Sequence, residues 1–481
     1  MVRTSLTPEQ RLRRIISRTL AANTATEWTR QCVFNQCILN NGSNALQSSH
    51  ENRDVNALSS TTGTRNDDQK RNDDQKGKDD QKRNKIAPRP QTNLPAIIAI
   101  GKAANAMLNA FLDTDFAAAI SVVPQAYAEQ TKLELPVDKF QVVYSTHPYP
   151  SSQSIQASHQ VKSFIKNYLG HPLYFLISGG TSALIEQPIE GVSLQELNQL
   201  NQKLVLSGMP IETINLLRKK LSKVKGGGLL HWIYNALPTA DKKIRIKQFT
   251  LSDVPRDDPS TVGSGLLFPS KIQEESRSIE RFLSDLSQSG DFSNKVTQLL
   301  GRSKEISDTN KQQSLEQPQS ILVGNSQKMS QAVLETLKVN YPQLCFHSGE
   351  INEPLEQFLQ RMDQALASGN RAMVFHGEVE LAVPSNSGKG GRNSHLALIM
   401  ARKLFESGKK GLFASIATDG ADGNTTAAGA IVSQASWMQM NDPEKALSDY
   451  DSYSALRSIN ATIELPRGRQ NVRDLYCLLI F

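Results

Sequence analysis

From Pro95 onward the chain repeats one pattern: a short β-rich apolar run, a glycine-bearing or polar loop, then a stretch with helical periodicity. The run Pro95 to Ile100 leads into Gly101-Lys102-Ala103-Ala104, and Leu173 to Ile177 leads into Ser178-Gly179-Gly180-Thr181-Ser182. Ile321-Leu322-Val323 leads into Gly324-Asn325-Ser326, and Phe413 to Ala417 leads into Thr418-Asp419-Gly420. Alternation of this kind predicts an α/β fold of parallel sheets flanked by helices, with ligands at the carboxyl ends of the strands. At 481 residues the chain has room for two or more domains, each with its own core.

Composition excludes several function classes. No apolar run reaches the roughly 18 residues that cross a bilayer, so a soluble protein with no membrane partner is expected. The formal net charge is +7, but no zinc-knuckle or RNP-type motif accompanies it, so no nucleic-acid partner is expected. Cys32, Cys37, Cys345 and Cys477 make neither a disulfide framework nor a zinc ligand set, which fits a reducing, cytoplasmic setting.

The N-terminus reads as an amphipathic helix opened by Pro8, with Leu12, Ile15, Ile16 and Leu20 on one face; its arginines leave an organelle transit peptide as the alternative. Residues 1–40 are therefore expected as the N-terminal helix of the first domain. Between 41 and 90 the composition shifts. The unit Arg65-Asn66-Asp67-Asp68-Gln69-Lys70 recurs twice with little change, and a polar repeat without an apolar face is expected to be a disordered insertion. A polar stretch at 303–318 reads as a surface connection or hinge, which places a first domain over 91–318 and a C-terminal region over 319–481. The Ser193-Leu194-Gln195-Glu196 capping box opens a helix, and Ile211 to Val224 forms another.

The loops carry the candidate chemistry. Lys102 is expected in the first turn of a helix directly after a strand, where an ammonium and the helix N-terminus act on one anion. Gly388-Lys389-Gly390-Gly391-Arg392-Asn393 and the loop from Thr418 to Gly429 both read as loops at helix starts, suited to phosphate or carboxylate. Gly390, Gly391 and Asn393 would offer donors there, and Arg392 a planar fork. Each stretch alone is equally well a hairpin tip or a capped turn. No Walker A motif occurs, and no GxGxxG follows a strand, which argues against a nicotinamide site.

In order, Gly101-Lys102-Ala103-Ala104, His147-Pro148-Tyr149-Pro150, Ser178 to Leu184, Asn215 to Gly227, Leu251 to Pro259, Gly263-Ser264-Gly265, Gly390 to Asn393 and Thr418 to Gly423 resemble the class II glycerate kinases, glycerate 2-kinases with a C-terminal MOFRL domain. The resemblance implies a Rossmann-like N-terminal α/β domain and a MOFRL domain, the latter at about 371–478, with the active site in the cleft between them. It implies phosphorylation of glycerate at the 2-hydroxyl with ATP and Mg2+ or another divalent cation, and leaves room for a homodimer. Lys102 and Arg392 become the catalytic candidates.

Asp253, after an apolar strand end, is the expected general base or metal contact. Asp257 and Asp419 are expected as metal contacts, through water or directly. Ser178, Gly179, Gly180, Thr181 and Ser182 would bind the substrate carboxylate or a phosphate, or else form a tight turn. Arg218, Lys225 and Asn325 complete the expected substrate or nucleotide contacts. Asp422 reads as the cap of an Ala-rich helix that follows it. Several positions depart from the family pattern: Lys220 stands for a histidine, Arg256 and His376 for glycines, and Arg467 and Arg469 for threonines. Hydroxypyruvate reductase, or a non-catalytic relative that binds a small hydroxy acid, remains the alternative.

Overall fold

The computed structural model describes residues 6–35, 93–127, 133–206, 211–238, 244–269, 298, 315–368, 371–384 and 386–481. The charged insertion and Cys37 lie outside them. Two six-stranded sheets organise the chain. The first comprises β1 (Ala96–Ile100), β2 (Ala118–Pro124), β3 (Phe140–Ser145), β4 (Leu173–Ile177), β5 (Ile246–Leu251) and β6 (Gln319–Gly324). Its order is β3-β2-β1-β4-β5-β6, and every pairing is parallel. This is the doubly wound order, in which the strand sequence reverses between β1 and β4 and opens a crevice beyond their carboxyl ends. β1 is an unbroken Ala-Ile-Ile-Ala-Ile run, buried along its whole length, as a central parallel strand requires.

The second sheet comprises β7 (Cys345–Pro354), β8 (Arg371–Glu380), β9 (Gly411–Ala417), β10 (Gly429–Ser433), β11 (Thr462–Ile463) and β12 (Asp474–Ile480), in the order β11-β10-β9-β12-β8-β7. Only β7 and β8 run parallel; the other pairings are antiparallel. The expectation of parallel sheets throughout is thus corrected for this half. The Thr418 loop returns directly into β10 beside β9, so the Ala-rich run after it is a strand where a helix was expected. Small and β-branched residues between buried neighbours favour the sheet once the loop is too short for a crossover helix.

Two expected boundaries also move. A division at 318/319 would cut β6 away from its sheet, since Gln319–Gly324 pairs with β5. The first helix, Pro8–Ala22, is capped by a Thr7/Gln10 capping box and buries Leu12, Ile15, Ile16 and Leu20. It packs on the helix Ser326–Asn340 and on β10. Arg13 donates to the carbonyls of Thr462 at 2.6 Å and Asn460 at 3.0 Å. The helix therefore belongs with the second sheet, although it was expected in the first domain. A second helix over 25–35 carries Trp28, whose ring lies against Gly324 so closely that a Cβ there would sit 2.0 Å from it. Elsewhere the Ser193/Glu196 capping box forms, while the helix expected to reach Val224 ends at Lys220.

One apolar cluster runs through both halves, joining Leu12, Ile16 and Trp28 to Ile97, Phe249 and Val323 of the first sheet and to Ile416 and Leu479 of the second. No helix among the described residues is long and apolar enough to cross a membrane. Because Ile16 is fully buried at this junction, Ile16→Ala is expected to cost about 2–5 kcal/mol. The loss should appear as a lower urea midpoint with an unchanged slope.

Candidate active site

The carboxyl ends of β1, β4 and β5 face the loops that follow β8 and β9 and the segment that enters β12. Between them lies a cavity of about 330 Å³ lined by Lys102, Asp253, Arg392, Asp419, Asn471 and Asp474, among others. Lys102 stands in the turn before the short helix Ala104–Leu108, one residue ahead of its N-cap and so just outside the first turn expected for it. Gly101 makes the turn possible: its φ is +134°, and a Cβ would meet Ser178 Oγ at 2.1 Å. Lys102 Nζ then reaches across the cleft to Asp419 Oδ2 at 2.8 Å.

Asp253 follows β5. Its carboxylate accepts a hydrogen bond from Asn471 Nδ2 at 3.2 Å. Gly179 lies so close to both groups that a Cβ would stand 1.8 Å from each, so only glycine lets the β4 loop approach. Burial pushes the Asp253 carboxyl up to about 6, against the pull of Lys102 and the Asn471 hydrogen bond. Burial likewise lowers Lys102, but Asp419 and Tyr127 more than compensate and hold its pKa above the ordinary value.

Arg392 opens the helix Arg392–Glu406. Its Nε donates to Asp474 Oδ2 at 2.7 Å, and NH1 lies 3.2 Å from Glu378 Oε2. Burial depresses the guanidinium, yet Asp474 and Glu378 raise it above its ordinary value, so it stays charged. Burial pushes the Asp474 carboxyl up to about 7, opposed by Arg392. The start of this helix is fixed by Asp422, whose two carboxylate oxygens accept from Asn393 N at 2.8 Å and Ser394 N at 2.7 Å. Asp422 thus caps a helix that begins 30 residues before it, not one that follows it.

Lys102, Asp253, Arg392, Asn393 and Asp419 therefore line one cavity. Others of the expected set lie elsewhere. Ser178 Oγ accepts from Ala103 N at 3.1 Å, and Thr181 Oγ1 donates to the carbonyls of Ile100 and Ser178. Both side chains are buried and hold the turn, while Ser182 pairs with Ser264 at 2.8 Å. This segment forms a tight turn, and Gly180 serves it as a left-handed N-cap. Lys225 is buried in an ion pair with Glu186, and Arg218 donates to Asn201 at 3.0 Å; neither lines the cavity. Asn325 caps the helix Ser326–Asn340 and donates to Asp257 Oδ2 at 2.6 Å, so Asp257 is not gathered with Asp419. Among the described residues, no group of three or more His, Cys, Asp or Glu is arranged to hold a metal.

Sequence reasoning did not single out Asp474 or Arg473 as site residues. Arg473 lines the cavity and donates to Asn352 and Ser326 at 2.9 Å each. The available signal was an Arg-Asp pair opening an otherwise apolar strand, where a charge needs a buried partner.

The chain matches the family described as "Domain of unknown function (DUF4147)" over residues 52–301 and the MOFRL family over residues 371–474. It is 31% identical to the D-glycerate 2-kinase of Thermotoga maritima over 417 residues, covering 81% of this chain and 92% of that one. It is 28% identical to the glycerate 2-kinase of Pyrococcus horikoshii, covering 80% of this chain and 87% of that one. The crystal structure of glycerate kinase from Thermotoga maritima superposes with a TM-score of 0.64 at 27% identity, covering 81% of this chain and 92% of that one. The chain belongs to the MOFRL-domain glycerate 2-kinase family.

An asparagine at 422 would present one accepting oxygen where the aspartate presents two, leaving a buried backbone N–H unpaired. Asp422→Asn is therefore expected to cost about 1–2 kcal/mol, measurable by thermal unfolding. Turnover should fall with it, because the same helix start positions Arg392.

Proposed function

We propose that this protein transfers the γ-phosphoryl group of ATP to the 2-hydroxyl of glycerate, giving 2-phosphoglycerate and ADP. The observation that carries this reading is the convergence of two cations from opposite sheets, Lys102 and Arg392, on a cavity that also holds Asp253. Phosphoryl transfer asks mainly for positioning and for charge to be neutralised around the transferred group. Lys102 and Arg392 supply the positive charge, while the N–H groups of Gly390 and Gly391 are already engaged, by Asn424 Oδ1 at 3.0 Å and Ser394 Oγ at 2.9 Å. Asp253, with a pKa near 6, is ionised at neutral pH yet basic enough to take the hydroxyl proton as the oxygen attacks phosphorus.

A divalent cation such as Mg2+ would neutralise charge on the β- and γ-phosphate oxygens. It is usually held by one or two carboxylates, water and the phosphates themselves. Asp419 fits that role: it faces the cavity and has accepting capacity beyond its bonds to Lys102 and Ala421 N. Asp257, tied to Asn325, does not. A hydroxypyruvate reductase would need a nicotinamide nucleotide on the β1 loop, and that loop reads Gly-Lys-Ala without the GxGxxG fingerprint.

The deciding assay supplies glycerate, ATP and Mg2+ and identifies the product as 2- or 3-phosphoglycerate, beside NADH or NADPH oxidation with hydroxypyruvate. ATP-dependent 2-phosphoglycerate is expected; nicotinamide turnover without ATP use would overturn the reading. Lys102→Met and Arg392→Ala should each lower kcat by about 10³ to 10⁵, the scale of an arginine finger, or roughly 4–7 kcal/mol, with circular dichroism unchanged.

Protonation of Asp253 removes the proton acceptor. Thus kcat/KM should fall about tenfold per pH unit below about 6 and level off above it. Asp253→Asn should abolish that acidic limb along with most of the activity; a limb that survives in the variant would assign it to another group.

A further inference from the structure

A second cavity, of about 670 Å³, lies on the far side of the loops that line the active site. Gly423 borders the active-site cavity and Asn424 the second one; Arg392 borders the first and Lys389 the second. The loops are stitched together, with Gly390 N donating to Asn424 Oδ1 at 3.0 Å and Lys389 N to Asp451 Oδ1 at 3.0 Å. The cavity is large enough for a base and a ribose. Asp449 and Asp451 line it; their carboxylates repel phosphate but accept hydrogen bonds from sugar hydroxyls.

Tyr450 also lines it, held at a φ of +54°, a costly conformation for an aromatic residue. Its ring stacks on His395, with centroids 4.3 Å apart and planes within 4°. His395 is buried, and its Nδ1 has no hydrogen-bond partner among the described residues. Burial pushes its pKa down to about 4, so the imidazole under the tyrosine is uncharged at neutral pH. The pair forms a flat, neutral platform at the edge of a polar cavity, the kind of surface on which a nucleobase stacks.

We propose that this second cavity seats the base and ribose of the nucleoside triphosphate, with the base on Tyr450, the ribose hydroxyls toward Asp449 and Asp451, and the phosphate chain crossing the paired loops past Lys389 to Arg392 and Lys102. The proposal rests on the kinase reading and assigns its nucleotide half. It explains why a loop with a lysine on one side and an arginine on the other is anchored at both ends.

Calorimetric titration of ADP and of inorganic triphosphate, together with steady-state kinetics, tests it on the wild-type protein, Tyr450→Ala and Ser454→Trp. The second variant fills the cavity from an exposed helix position and decides the matter if the first does not fold. Weakening of ADP binding by about tenfold or more is expected, with a matching rise in the ATP KM. Triphosphate affinity and glycerate KM should stay within twofold. Folded variants with unchanged ADP affinity and ATP KM, or equal loss of triphosphate and ADP, would overturn the proposal while leaving the kinase reading intact. A wild-type protein that neither binds ADP nor phosphorylates glycerate would overturn both.

Discussion

The ion pair between Lys102 and Asp419 is the contact on which the cleft depends. Each charge stands on a loop at the end of a central strand, one from each sheet, and the two meet at 2.8 Å with side chains only 19% and 13% exposed. Removing either partner would strand the other in a poorly solvated place, which costs more than the pair itself is worth. On the kinase reading proposed above, the same arrangement is where the transferred phosphoryl group would bind. A phosphoryl group carries the sign of Asp419 and would compete with it for the ammonium, so that its binding and the contact between the two loops would draw on one positive charge.

Around that pair the chain holds the two halves in fixed relation through its core. The first helix packs on the second sheet, and the next helix inserts Trp28 against Gly324 at the end of β6. Lys328 lies over the same indole ring at 4.8 Å. The apolar cluster is continuous from Leu12 through Phe249 to Leu479. A shared core of this kind resists the relative sliding of domains that a small polar interface would permit. It keeps Lys102, Asp253 and Arg392 in register although they come from positions almost 300 residues apart.

What the sequence revealed was local in origin. A strand, a glycine and a helix start within ten residues are enough to place Lys102 beyond β1, and the end of an apolar strand is enough to place Asp253 beyond β5, because the chain turn and the ligand crevice share one physical cause. Arg392 was legible for the same reason. Lys225 was misread because its partner Glu186 lies 39 residues away, and nothing near Lys225 signals a buried carboxylate. Asp422 was given to the wrong helix because capping across a loop pair is invisible to a pattern read along the chain. The antiparallel half was missed for a related reason: Ala-Ala-Gly-Ala-Ile-Val fits a helix or a buried strand, and only its neighbours β9 and β11 decide.

The departures from the family pattern fall into structural places. Arg256 occupies a left-handed backbone position with φ of +64°, which glycine adopts freely and arginine at a cost of about 1–2 kcal/mol. His376, buried within β8, binds Ser326 Oγ at 3.0 Å, and Arg473 donates to that same hydroxyl at 2.9 Å. The larger side chain thereby joins a polar knot that links the start of the helix after β6 to the strand carrying Asp474. Arg467 donates to the carbonyl of Thr425 at 2.8 Å, bracing the loop that bears Asp419 and Asp422. His376 and Arg467 add specific bonds, whereas Arg256 brings backbone strain, and none of the three removes a charge from the set that lines the cleft. The bonds that His376 and Arg467 make therefore bear on how the elements around the cleft are braced rather than on the charges that line it.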